Sequence, residues 1–198
     1  MSLHNYQIPA KKPGLDRSSS GKINFSDERI KFDSKEYKCN LGIVPQDISL
    51  YENMTVKENL VLFSRLYGLR GRKMTENVDN LIKELHLENK ANTEVKKLSG
   101  GMKRRVNIAA AIVHNPQLII MDEPTVGIDP ENRKAVWEII EALKEKNKSV
   151  ILTSHYIEEI EKLSDNVMIL EKGTKMVEGS PAKLVEEYGL SLIHIYKI

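Results

Sequence analysis

Four consecutive apolar residues, Leu118-Ile119-Ile120-Met121, run straight into two acids, Asp122 and Glu123. A run of this length without alternation suits a strand buried on both faces, as in a parallel sheet covered by helices. Such a strand ends its apolar stretch at its carboxyl end, where α/β sheets bind ligands, and here that end carries two carboxylates. This constrains the fold more than any other feature, because the rest of the chain must supply neighbouring strands and covering helices.

The surrounding sequence does so. Leu41-Gly42-Ile43-Val44 is a short apolar run stopped by Pro45, and Val150-Ile151-Leu152 is another. From Thr55 to about Leu87 the period turns helical, with Val56, Leu60, Phe63 and Tyr67 on one face and Val78, Leu81, Ile82 and Leu85 on another. Gly68 to Arg72 separates these two helices. A third is expected from Met102 to about His114, stopped by Asn115-Pro116, and a fourth from Glu131 to Lys146 with Val136, Ile139, Ile140 and Leu143 on one face. A further helix is expected around Tyr156 to Leu163. Val167-Met168-Ile169-Leu170 and Lys175-Met176-Val177, joined at Lys172-Gly173, predict a hairpin, and Pro181 starts a last helix ending at Gly189. The expectation is an α/β fold with a parallel-sheet core, interrupted by an inserted α-helical subdomain over about residues 50–115.

Composition bounds the partners. With 30 basic and 28 acidic residues the net charge is +2, so no electrostatic footprint for nucleic acid is present. Lys103-Arg104-Arg105 is the densest cationic cluster and reads as a solvated or dipole-compensating helix face. The single cysteine, Cys39, excludes an internal disulfide, suits a reducing compartment and is expected as a small buried hydrophobe. No apolar run approaches the roughly 18 residues that span a bilayer, so a membrane role would need another chain to supply the membrane part. The first residues lack the basic-then-apolar order of a signal peptide.

Five motifs stand in fixed order: Gln46 after Val44-Pro45, Leu98-Ser99-Gly100-Gly101-Met102, Leu118 to Pro124, Gly127-Ile128-Asp129-Pro130, and Ser154-His155. Ser99-Gly100-Gly101 at a helix start is physically an anion-binding device, because backbone N–H groups and the positive helix end face the ligand. Ser99 is equally a good N-cap. Together the motifs resemble the ATP-binding cassette (ABC) ATPase family, which drives transporters, and Met102-Lys103-Arg104-Arg105 resembles its exporter branch. The resemblance implies a P-loop NTPase-like fold, ATP and Mg²⁺ as ligands, and hydrolysis coupled to transmembrane export. It implies that Asp122 sits near Mg²⁺ through water, that Glu123 polarises the attacking water, and that the Gln46 amide reaches Mg²⁺ or the water. His155 would hydrogen-bond the γ-phosphate. Ser99, Gly100 and Gly101 would contact nucleotide held by the opposite subunit, and Asp129 would join the dimer contact. Implied partners are a membrane-spanning permease subunit and a second ATPase subunit, homo- or heterodimeric. The implied place is cytoplasmic, peripheral on the inner face of the cell membrane. Val126 and Ile128 depart mildly from the family's commoner wording.

One element of the family has no counterpart. No G-x-x-x-x-G-K-S/T phosphate loop occurs in the 198 residues. Ser20-Gly21-Lys22 is followed by Ile23 where Ser or Thr would bind Mg²⁺, and it resembles instead the turn after the family's first helix, whose end fits Gly14-Leu15. The expectation is therefore an N-terminally truncated cassette over residues 14–189, behind an atypical segment 1–13. Residues 190–198 fall outside the domain pattern. Leu190-Ser191-Leu192-Ile193-His194-Ile195 resembles a translated transposon-end sequencing adapter. The alternative from a different class is a non-catalytic cassette half that donates its Ser-Gly-Gly turn to a partner's ATP site. A soluble ribosome- or DNA-associated cassette is disfavoured by the near-neutral charge.

Overall fold

The computed structural model describes residues 34–188, in two units that meet in sequence between Thr153 and Ser154. The atypical segment 1–13, the helix end expected at Gly14-Leu15, the turn expected at Ser20-Gly21-Lys22 and the tail 190–198 lie outside the described residues. In the first unit the order is α1 (Lys35–Cys39), β1 (Leu41–Val44), α2 (Val56–Leu66), α3 (Gly71–Glu84), α4 (Gly100–Ile112), β2 (Leu118–Asp122), α5 (Pro130–Glu145) and β3 (Ser149–Thr153). The three strands form one parallel sheet with β2 in the middle. Leu118 pairs with Leu41 on one side and Ser149 on the other, and Asp122 is opposite Thr153. Ile119 and Met121 are fully buried, as the unalternating run required. The fold is thus the expected α/β class. The strand extends one residue past the apolar run, so Asp122 is its last rung and Glu123 the first residue beyond it.

Helices α2, α3 and α4 close around one apolar cluster. Val56 and Leu60 from α2, Val78 and Ile82 from α3, and Val106, Ala109 and Ala110 from α4 meet Leu85, Leu87, Val95 and Leu98. Burying each of the larger side chains contributes about 1.5–3 kcal/mol before entropy is charged against it. Phe63 and Leu81, expected on the same faces, are only partly buried at its margin. α2 starts with a reciprocal cap: the Thr55 hydroxyl accepts from the Glu58 amide at 3.2 Å while the Glu58 carboxylate accepts from the Thr55 amide at 2.8 Å. Within α2, buried Asn59 accepts from the Tyr51 amide and donates to the Tyr51 and Thr55 carbonyls, holding the turn before the helix. Cys39 is half-buried at the end of α1, not the fully buried hydrophobe expected, with its thiol directed at the Tyr67 carbonyl at 4.0 Å.

The second unit contains α6 (Ile157–Leu163), β4 (Val167–Glu171), β5 (Thr174–Gly179) and α7 (Pro181–Tyr188). β4 and β5 form the expected antiparallel hairpin, and Lys172 and Gly173 both have positive φ, at 48° and 80°. Two consecutive left-handed residues make the tight turn whose twist matches the strands, and glycine is the residue that adopts it without steric cost. Val167 and Leu184 are buried there against Ile157, Ile160, Ile169 and Val177.

His114, just after α4, stacks on Tyr67 with ring centroids 3.5 Å apart and planes 8° apart. Its Nε2 lies 3.1 Å from the Leu41 carbonyl and donates to it in the neutral ring; Nδ1 is buried with no partner among the described residues. Burial pushes His114 down from 6.5 to about 4. Because the folded value lies below the unfolded one, its stabilising share is complete above the unfolded value and drains away as pH falls toward the folded one. His114→Gln should therefore lose less Tm than the wild type between about pH 7 and about pH 5. Parallel melting curves for the two proteins check this, and equal losses would contradict it.

Candidate functional site

The site grows from the carboxyl end of β2. The Thr153 hydroxyl, on the last rung of β3, donates to Asp122 Oδ1 at 2.6 Å and accepts from the Glu123 amide at 3.0 Å. One hydroxyl thus fixes both acids: it orients the first carboxylate and pins the backbone of the second. Glu123 has φ +44°, a left-handed conformation that costs a non-glycine residue on the order of 1–3 kcal/mol. The turn redirects the chain immediately after Asp122, so that Glu123 does not continue the alternation of the strand.

Arg104 holds the other side of that turn. It is 3% exposed and donates to five backbone carbonyls. Its Nε reaches Pro124 at 2.6 Å, and Nη2 reaches Asp122 at 3.1 Å and Glu123 at 3.0 Å. Its Nη1 reaches Pro45 at 2.7 Å and Gln46 at 2.9 Å. The solvated cationic face expected for Lys103-Arg104-Arg105 is therefore overturned for Arg104, whose planar five-donor fork is fully used inside the protein. Arg105 also turns inward, donating to the Leu85 carbonyl at 3.0 Å, and Lys103 pairs with Glu52 at 2.8 Å. Three residues along α4 from Arg104, Asn107 accepts from the Ser49 amide at 3.1 Å. The loop that carries Gln46 thus hangs on α4 at two points, with the Gln46 residue itself exposed.

The Ser-Gly-Gly turn opens α4. Ser99 is the N-cap, its hydroxyl accepting from the Met102 amide at 3.3 Å, and Ser99 and Gly100 are exposed. Gly101 is buried, and a Cβ there would overlap the side chain of Asn132 in the first turn of α5. So the second glycine serves close packing between α4 and α5, whereas Gly100 has open space around it. Asn132 in turn holds Asp129, the N-cap of α5: its amide N–H donates to one carboxylate oxygen at 3.0 Å and its side-chain amide to the other at 2.7 Å. These bonds hold the Asp129 carboxyl below the usual carboxylate range.

Two groups of the expected residues come together within the first unit. Gln46, Asp122 and Glu123 are stitched by Arg104, while Gly101, next to Ser99 and Gly100 in the chain, meets Asp129 through Asn132. His155 belongs to the second unit, exposed, with its ring 4.3 Å from that of Tyr156. Arg104, Asn132 and Thr153 were not foreseen. Their signal is long-range contact, which no local pattern carries.

The donor set can be matched to a ligand class. Mg²⁺ takes few protein oxygens and keeps water or phosphate in its other positions. Asp122 is a single half-buried carboxylate at a strand end, which fits such a sparse site. Among the described residues no group of three or more His, Cys, Asp or Glu could enclose a metal. The exposed amides at the start of α4 fit an anion such as a terminal phosphate.

The family model for the ABC transporter matches residues 13–126. The chain is 42% identical over 184 residues to the Nod factor export ATP-binding protein I of Rhizobium sp. (strain N33), covering 92% of this chain and 60% of that protein. It is 40% identical, with the same coverage, to the protein of that name from Bradyrhizobium diazoefficiens. The chain thus spans about three fifths of the length of these curated relatives. Among solved structures it is similar to cbiO1 from Clostridium perfringens, described as part of the ABC transporter complex cbiONQ. The TM-score is 0.77 at 29% identity, covering 88% of this chain and 72% of that one.

Three substitutions test this geometry. Thr153→Val keeps the shape but leaves the Glu123 amide without its acceptor, and should cost about 1–3 kcal/mol in urea unfolding. Gly101→Ala should cost about 1–3 kcal/mol by overpacking against Asn132, and Gly100→Ala clearly less. Equal costs for the two glycines would contradict the packing role.

Proposed function

The chain belongs to the ABC transporter family, and on that premise we propose that it is the ATP-binding and ATP-hydrolysing part of an ABC exporter. The observation that carries the proposal is the strand end where Asp122 and Glu123 emerge, joined by Arg104 to the loop of Gln46. Glu123 polarises the water that attacks the γ-phosphate, and the Gln46 amide helps to orient it. Asp122 and Gln46 are the residues that would hold Mg²⁺, the first of them through water. Mg²⁺, when bound, withdraws charge from the phosphate oxygens. His155 donates a ring N–H hydrogen bond to the γ-phosphate. Ser99, Gly100 and Gly101 face the nucleotide of a second ATPase subunit, and Asp129 lies at the contact between the two subunits.

Coupling to export requires a membrane-spanning permease. Among the described residues no helix is long and apolar enough to cross a membrane. The near-neutral charge supports a protein partner over nucleic acid. The assembly would sit on the cytoplasmic face of the cell membrane, held there by the permease.

A second reading has its own support. Ser99 and Gly100 are exposed at the start of α4, where backbone N–H groups suit a phosphate held by another subunit. On this reading the chain is a non-catalytic half that completes a partner's ATP site. Either way, the 198-residue chain alone should show no tight MgATP binding, and micromolar affinity in calorimetry would refute that. In the assembled complex Glu123→Gln should lower kcat about 10²–10⁴-fold if this chain is catalytic. If it only donates, Glu123→Gln leaves turnover intact and Ser99→Arg abolishes it.

A further inference from the structure

We propose that Arg104 is a positioning residue that makes the Gln46 loop and the Asp122–Glu123 turn a single body carried on α4. The inference rests on the functional reading above and adds to it how the two halves of the site stay in register.

The two segments are far apart in sequence and belong to different strand ends. Pro45 and Gln46 follow β1, and Asp122, Glu123 and Pro124 close β2. Between the ends of neighbouring parallel strands the ladder stops, so nothing in the sheet itself fixes one turn against the other. Arg104 fills that gap. Its Nη1 takes two carbonyls from the first segment, Nη2 takes two from the second, and Nε takes the Pro124 carbonyl. Because the guanidinium is rigid and planar, displacing either segment breaks bonds to the same group that holds the other. The left-handed Glu123 is one of the five acceptors, so the same group also helps to hold the backbone that aims the carboxylate.

The position on α4 gives the clamp a second consequence. Arg104 stands one turn beyond Gly101, whose close approach to Asn132 fixes α4 to the Asp129 cap of α5. A shift of the Ser99-Gly100 end, which would face a partner's nucleotide, is therefore transmitted through one helical turn to the chain's own Gln46 and Glu123. An apolar side chain of similar length would fill the same volume, but it would leave five carbonyls unheld and the two turns independent.

The test uses Arg104→Lys and Arg104→Gln in the complex with its membrane partner, together with amide exchange on the purified chain. Lysine can reach only part of the carbonyl set and glutamine less. The clamp predicts kcat lowered about tenfold or more by Arg104→Gln, with Arg104→Lys in between and KM for MgATP moving less than about threefold. It also predicts that exchange quickens together in residues 45–49 and 122–126, while α3 and α5 stay protected. Unchanged kcat, or a change confined to KM, overturns it. So does exchange that rises across the whole chain, or in only one of the two segments. Where Arg104→Gln does not fold, Arg104→Lys alone decides by the same criteria. A wild-type complex without MgATP turnover would sink the functional reading, and the exchange comparison would still decide the clamp.

Discussion

Everything in the first unit depends on β2 being the central strand of a parallel sheet. Hydrogen-bonded on both sides and buried on its faces, it cannot shift register without exposing Ile119 and Met121 or leaving ladder groups unpaired. That rigidity is what makes its carboxyl end useful. Asp122 is the last residue the ladder controls, and Glu123 is the first it does not, so a second set of contacts must take over there. Thr153 from the neighbouring strand and Arg104 from α4 supply it.

Helix α4 plays the complementary part. One face packs Val106, Ala109 and Ala110 into the helical cluster, and its first turns carry Gly101, Arg104 and Asn107 toward the loops. Small residues along it permit close approach, and the polar ones are spent on backbone groups of loops that would otherwise lack partners. The helix is therefore both a wall of the core and the support on which each loop of the candidate site is hung. A site built this way places its carboxylates on a short turn but takes their precision from buried elements.

The strands, the main helices and the hairpin are legible in the sequence because each announces itself locally, by an apolar run, a helical period or a turn pair such as Lys172-Gly173. The short helix α1 is not, since five residues without a buried side chain carry no period. The motif residues are legible as a resemblance, but their support is not. Arg104 lies in a run of three cations, and from sequence a run of that kind reads as solvated. Its burial depends on carbonyls 18 to 59 positions away. The close packing of Gly101 on Asn132 is equally non-local, and the left-handed φ of Glu123 has no signature in residue type. Local chemistry writes the elements, whereas the joints between them appear only once the sheet has ordered the chain.

The most direct test of this account is a structure of the assembled complex with Mg²⁺ and a non-hydrolysable ATP analogue. The account predicts a γ-phosphate bracketed by Glu123 of one ATPase subunit and a Ser-Gly-Gly turn of the other, with Asp122 on the Mg²⁺ side. If this chain is the donor half, the same phosphate would contact only its Ser99 and Gly100. Nucleotide bound away from both the Glu123 turn and the start of α4 would contradict the account.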